Sequence, residues 1–280
     1  MAPEHDQTEQ AEVVEVQTIE GDKVQVEVPS RDAANWAKTV STLNLSSEPP
    51  PEAINLNVTG RRLVGPMQGF GKMWQKTYKV PLEGANVTPQ EVIKTWKANF
   101  PKFWPERNWF YGSLTGIAPG DVALLNLSLP GRIKLSTGVL VMYADDESFS
   151  LMCPQGHQFA GWNTFSSHAE EGATIAQIQV LIRGSDPIYE IGLALGGHRM
   201  ENKFWQHTLK SLAAHFGVEG AEPSTELVCV DKKRQWANAS NVRYNAAIRS
   251  GIYAMGTPFR SISKAMGKRK NGASGPTNGA

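Results

Sequence analysis

The chain has 280 residues, 40% of them apolar, which is enough for one generous core or two modest ones. Its charged fraction of 20% and formal net charge of +1 exclude a wholly disordered chain and give no global reason to expect nucleic acid as a partner. The charges are not evenly spread, however: residues 1–52 hold 11 acids against 3 bases, residues 231–270 hold 10 bases against 1 acid, and the stretch between is neutral. Such ends can neutralise each other, or the basic one can meet an anionic surface.

In chain order, an acidic polar stretch precedes valines at 14 and 16 and again at 24, 26 and 28, on either side of Glu20-Gly21-Asp22-Lys23. This period-2 pattern around a glycine turn predicts a β-hairpin over 13–28. The start has no basic segment followed by an apolar one, so no secretory signal is expected, and no window reaches the ~18–20 apolar residues of a membrane span. A cytoplasmic location, with peripheral attachment to a membrane as a further option, is the expectation. The stiff run Pro49-Pro50-Pro51 closes an N-terminal extension, placed at 1–52.

The main domain is expected over 53–220. After a glycine-rich loop at 60–71, Met73–Leu82 alternates Trp74, Lys76, Tyr78 and Val80 with polar residues and reads as a first strand. Thr88-Pro89-Gln90-Glu91 then supplies a capping hydroxyl, a proline at the first helical position and a glutamate at the third. A helix follows with Val92, Ile93, Trp96 and Phe100 on one side, stopped by Pro101. An aromatic loop, 100–111, comes next. From Asp121 the period changes to 2, predicting strands at Val122–Leu129, Gly138–Ala144, Phe149–Cys153, Gln158–His168, Thr174–Ile182 and Tyr189–Leu195, separated by short turns. Hairpin-length links imply an antiparallel meander. Arg199–Phe216 then carries Phe204, Trp205, Thr208, Leu209, Leu212 and Phe216 on one helical stripe that must be buried against the sheet, while Glu201 is placed off that stripe. Residues 221–280 form a basic extension with short amphipathic helices and a polar end.

Strand, helix, six-strand meander and closing helix resemble the helix-grip fold of the START/polyketide-cyclase (SRPBCC) superfamily over residues 60–218. The segments Gly69–Tyr78 and Leu151–His157, the latter with its Pro154-Gln155-Gly156-His157 turn, are similar to an uncharacterised bacterial branch of that superfamily. The resemblance implies an α+β fold, a curved antiparallel sheet of about 6–7 strands wrapped around a long C-terminal helix. It further implies an apolar cavity between the two, used for lipids, isoprenoids, polyketides and the like.

No metal spacing such as His-Glu-x-x-His, no Gly-x-Ser-x-Gly elbow and no phosphate loop is present, so no cofactor, metal or complete catalytic set is expected. Cys153 and Cys229 read as reduced thiols. Along 158–168, Trp162, Thr164, Ser166 and His168 share one face, and Phe159, Asn163 and Phe165 the other, with either able to be concave. The candidate ligand-binding set is Trp162, Thr164, Ser166 and His168, with His157 beside them and Phe204, Thr208 and Leu212 from the closing helix. The expected activity is non-catalytic carriage of an apolar small molecule, with loop 100–111 as gate. The alternatives are a cyclase or hydratase using His157 or His168 as acid/base, and a membrane-surface adaptor whose partner, an anionic bilayer, is reached through 232–270.

Overall fold

The inward residues of the first strand set the architecture. β1 (Met73–Pro81) buries Lys76, Tyr78 and Val80 on one face, and its alternation sends Gln75, Thr77 and Lys79 to the other. The computed structural model describes residues 33–112, 116–129 and 133–256, so the hairpin expected at 13–28 and the polar C-terminal end lie outside the described residues. α1 (Pro89–Asn99) begins as its sequence predicts. Thr88 Oγ1 accepts the Glu91 amide at 3.2 Å, and Glu91 Oε2 accepts the Thr88 amide at 2.8 Å. Its buried residues Val92, Ile93 and Trp96 pack against the middle of the sheet.

The other strands are β2 (Trp109–Tyr111), β3 (Val122–Leu129), β4 (Ile133–Ala144), β5 (Ser148–Met152), β6 (Phe159–Glu170), β7 (Ala173–Gly184) and β8 (Ser224–Asp231). They form one antiparallel sheet in the order β2-β3-β4-β5-β6-β7-β1-β8. Eight strands replace the expected 6–7. Part of the aromatic loop pairs with β3 as the edge strand β2. Chain beyond residue 220 returns as β8 alongside β1.

The strand expected at Tyr189–Leu195 is helical. Asp186 accepts the Ile188 and Tyr189 amides at 2.8 and 3.0 Å and Pro187 occupies the first helical position, which starts α2 (Pro187–Gly192). A π-turn, Leu193–Gly197, links it to α3 (His198–His215), and the kink falls on Gly196, whose φ of 128° suits a residue without a side chain.

α3 lies in the concave face, burying Trp205, Leu209 and Leu212. Between helix and sheet, Trp96, Phe100, Phe149, Phe165 and Trp205 meet mostly edge to ring, with Phe149 and Phe165 stacked at 4.6 Å. This aromatic plug fills one part of the space under α3.

The convex face is covered by chain from both sides of the expected domain. Leu43, Ala53 and Val58 pack on Leu124 and Leu140 in a second core, and Trp36 packs on Tyr143 with ring centroids 4.7 Å apart and planes tilted by 60°. α4 (Ala246–Met255) lies on β4 before the pairing with β5 begins at Leu140. There the Ser136 amide donates to Ser250 Oγ at 3.0 Å, and Asn57 Nδ2 donates to the Ser136 carbonyl at 2.8 Å. These side chains satisfy a stretch of β4 edge that no strand reaches.

Residues 232–245 are sewn to the loops at one end of the sheet. Arg183, fully buried, donates to the carbonyls of Gly71 at 2.6 Å and Lys233 at 2.9 Å and to the Asp231 carboxylate. The Gln235 amide donates to Phe70 O at 2.7 Å, Asn241 Nδ2 donates to Gln68 O and Ser185 O, and Asn245 Nδ2 donates to Asp186 Oδ2. The folded unit therefore runs past both expected limits, residues 52 and 220.

Candidate ligand cavity

Beside the aromatic plug, the space between α3 and strands β3 to β6 stays open as a cavity of about 570 Å³. Leu125, Leu127 and Val139 line it from the sheet, Leu151 and Phe159 from the next two strands, and Trp104 and Phe204 line it together with Trp205, which it shares with the plug. The α2–α3 junction forms its rim: Leu193, Gly196 and Met200 face it, and Leu195 stands 83% exposed. Sites of roughly 300–1,000 Å³ with apolar walls and a few polar groups are the usual form of a small-molecule pocket.

Two of the eight expected ligand residues line this cavity, His157 and Phe204. Thr208 and Leu212 are fully buried in α3 beyond it, and the Thr208 hydroxyl donates to the Phe204 carbonyl at 3.0 Å. Trp162, Thr164, Ser166 and His168 are on the outer face of β6. The concave face belongs to Phe159, Asn163 and Phe165, because the two phenylalanines have an apolar core to enter and Phe165 packs on both Trp96 and Trp205. On the outer face, Thr164 bonds Ser150 at 2.9 Å and His168 Nε2 is 3.2 Å from Glu170 Oε2. His168 is thereby removed as an acid/base for the cavity.

His157 sits on the Pro154–Gly156 turn between β5 and β6. Its Nδ1 accepts the Phe159 amide at 3.0 Å, which leaves the ring proton on Nε2. Burial pushes its pKa down to about 4, so the ring is neutral at pH 7. Cys153, also on the wall, is a free thiol held protonated, its pKa pushed up to about 12 by burial and by the nearby Glu201 carboxylate. A neutral imidazole with one nitrogen occupied and an un-ionised thiol are a poor base and a poor nucleophile.

A charged network that the helical stripe did not reveal underlies one wall. Lys76 on β1 donates to Glu201 Oε2 at 2.5 Å, His198 Nδ1 at 3.2 Å and Asn202 Oδ1 at 3.1 Å, all on α3. Tyr78 donates to the same Asn202 oxygen at 2.8 Å, and burial with the Glu201 charge holds its hydroxyl far above the usual phenol range. Glu201 also lines the cavity. The sequence signal was Lys76 itself: a lysine on the inward stripe of a strand must find an anion, and the first turn of the closing helix is where one was available.

Among the described residues, no three His, Cys, Asp or Glu side chains are grouped to hold a metal, and no helix is long and apolar enough to cross a membrane.

No protein-family model matches the chain, and no curated protein matches it in sequence. Solved structures with low similarity to it cover about half its length. They include a START superfamily protein from Mycobacterium smegmatis, 19% identical over 52% of this chain and 98% of that one, with a TM-score of 0.36. Ara h 8.0201 is 11% identical over 51% of this chain and 97% of that chain, with a TM-score of 0.36. The di-domain aromatase/cyclase StfQ from the steffimycin biosynthetic pathway is 9% identical over 51% of this chain and 50% of that chain, with a TM-score of 0.40. Similarity at this level is weaker than the topology itself. A first strand beside the last strand of a meander, an early helix, and a long helix laid in the concave face together make a helix-grip arrangement.

Proposed function

We propose that the protein binds and carries an apolar small molecule in the cavity under α3. The observation that carries this reading is the cavity's construction: about 570 Å³ walled by leucine, valine and aromatic side chains, with a rim made by a glycine-kinked helix junction. Burying ~300 Å² of ligand carbon at about 25 cal/mol per Å² contributes roughly 7 kcal/mol before the costs of association, enough for micromolar binding. Binding is favoured over a cyclase or hydratase because His157 is neutral with Nδ1 occupied and Cys153 is un-ionised, so neither supplies a poised base or nucleophile.

Native mass spectrometry of protein purified from its own host, followed by organic extraction, tests the reading and names the ligand class; a retained apolar compound is expected. In parallel, the uncharged fluorescent probe N-phenyl-1-naphthylamine should bind the purified chain, and Leu127→Trp, which fills the cavity, should weaken that binding at least about tenfold. A chain that retains no compound and leaves the probe dark has no usable cavity, and the proposal fails.

A further inference from the structure

The network on β1 and α3 leaves one buried carboxylate oxygen without a partner. Lys76 has three ammonium protons and uses all three, on Glu201, His198 and Asn202. Asn202 Oδ1 takes the Tyr78 hydroxyl as its second donor. Glu201 contributes one carboxylate oxygen to this arrangement, and the other, Oε1, is buried with no hydrogen-bond partner. An ionised carboxylate accepts on both oxygens, and leaving one dry is costly. One helical turn further along α3, the indole N–H of Trp205 is likewise buried without a partner. Residues four apart lie on the same helix face, and both Glu201 and Trp205 line the cavity.

Resting on the reading of this cavity as a carrier site, we propose that Glu201 and Trp205 form a polar anchor for an apolar ligand that bears an uncharged hydroxyl group. A hydroxyl is the small group that answers both vacancies, donating to Glu201 Oε1 and accepting from Trp205 Nε1–H. An ether or ketone of the same shape serves the indole alone. A carboxylate places a second negative charge against Glu201 in a low-dielectric wall and is disfavoured. The site therefore selects alcohols or phenols over fatty acids and over hydrocarbons. Selectivity of this kind is large because a polar group left unpaired by the wrong ligand stays buried.

The test uses three ligands of equal chain length, 1-decanol, decyl methyl ether and decanoate, each displacing N-phenyl-1-naphthylamine from the full chain. Decanol is expected to displace the probe at about tenfold to hundredfold lower concentration than the ether or the acid, the range of a hydrogen bond to a charged group. The paired variant Lys76→Met with Glu201→Leu replaces the buried ion pair by apolar side chains, an exchange that folded proteins commonly tolerate. In it the alcohol should lose its advantage over the ether, while the ether binds as before. Trp205→Phe exchanges the indole for a smaller ring that lacks the donor, so it should weaken the alcohol and the ether alike and leave the preference between them in place. Equal displacement by decanol and the ether in the unaltered chain overturns the anchor, as does a preference that survives the paired variant or a Trp205→Phe chain that binds both ligands as before. If the probe itself never binds, the carrier reading fails first and the anchor with it.

Discussion

His157 illustrates how a single buried group ties the cavity to solution behaviour. Its folded-state pKa of about 4 lies below the ordinary value of 6.5. Between those pH values the unfolded chain binds a proton that the folded chain refuses, so stability falls as pH falls through this window. Over the whole interval the loss is on the order of 3 kcal/mol for this group. Urea unfolding at pH 7.5 and pH 4.5 should show a smaller loss in His157→Gln, whose amide oxygen can still accept the Phe159 N–H, than in the unaltered chain. Equal losses would mean that carboxylates, and not this imidazole, dominate. At this same scale helical spacing sets Glu201 off the apolar stripe, whereas the structure buries it. Spacing reports where apolar residues cluster. It does not report that Lys76, arriving from a strand 125 positions away in the chain, draws a carboxylate into the core.

Among the elements, α1 and α2 begin with the same chemistry, but only in α1 does the helical period agree with the cap. Thr88-Pro89 and Asp186-Pro187 each place a capping oxygen before a proline at the first helical position. In the second case Tyr189, Ile191, Leu193 and Leu195 alternate with other residues, and the period-2 pattern outweighed the cap. The structure resolves the conflict in favour of the cap because Asp186 satisfies two amides at once, and Gly196 then bends the chain into α3 instead of back into the sheet. Thr88→Ala removes the capping oxygen from α1 and should cost about 1 kcal/mol, lowering Tm by roughly 2–4 °C in a chain of this size. Thermal unfolding followed by circular dichroism measures this. Thr88→Ser should retain most of the stability, since the hydroxyl is kept. β6 teaches a related lesson about faces. Alternation correctly divided its residues into two sets, but choosing the inward set required knowing that Phe165 meets Trp96 and Trp205, residues from two different helices.

For the whole molecule, the segments outside the expected domain limits are parts of its fold. Arg183, with no exposed surface, depends on Asp231 and on the Lys233 carbonyl, both supplied by chain beyond the closing helix. Arg183→Met takes the guanidinium away from the Gly71 and Lys233 carbonyls and from the Asp231 carboxylate, which keeps the Lys233 amide and Gln235 as donors, and should destabilise on the order of 3 kcal/mol, visible as a lower urea midpoint with unchanged slope. A midpoint shift under about 0.5 kcal/mol equivalent would show the clasp to be unimportant. Truncation from residue 232 onward removes the same carbonyl together with Ser250, which satisfies the Ser136 amide, and should be at least as damaging. Any test of membrane attachment through the basic segment 232–270 must therefore cut after Gly256. Co-sedimentation with vesicles of anionic lipid should then compare the full chain with residues 1–256, and equal pelleting of the two would remove the final basic stretch as an attachment site.

What the sequence by itself determined is local and periodic: the capping box of α1, the strand runs of the meander, the apolar stripe of α3, and from their order the helix-grip plan. Those signals arise within a few residues of each other, where backbone sterics, amide satisfaction and side-chain alternation act. The tertiary structure alone decided which face of β6 lines the cavity and that β2 and β8 complete the sheet. It also decided that residues 36–63 and 232–255 cover the sheet's outer side and its loops. It alone paired Lys76 with Glu201. Each of these depends on contacts between residues far apart in the chain, where burial is a property of the assembled partner surface and leaves no mark in local pattern.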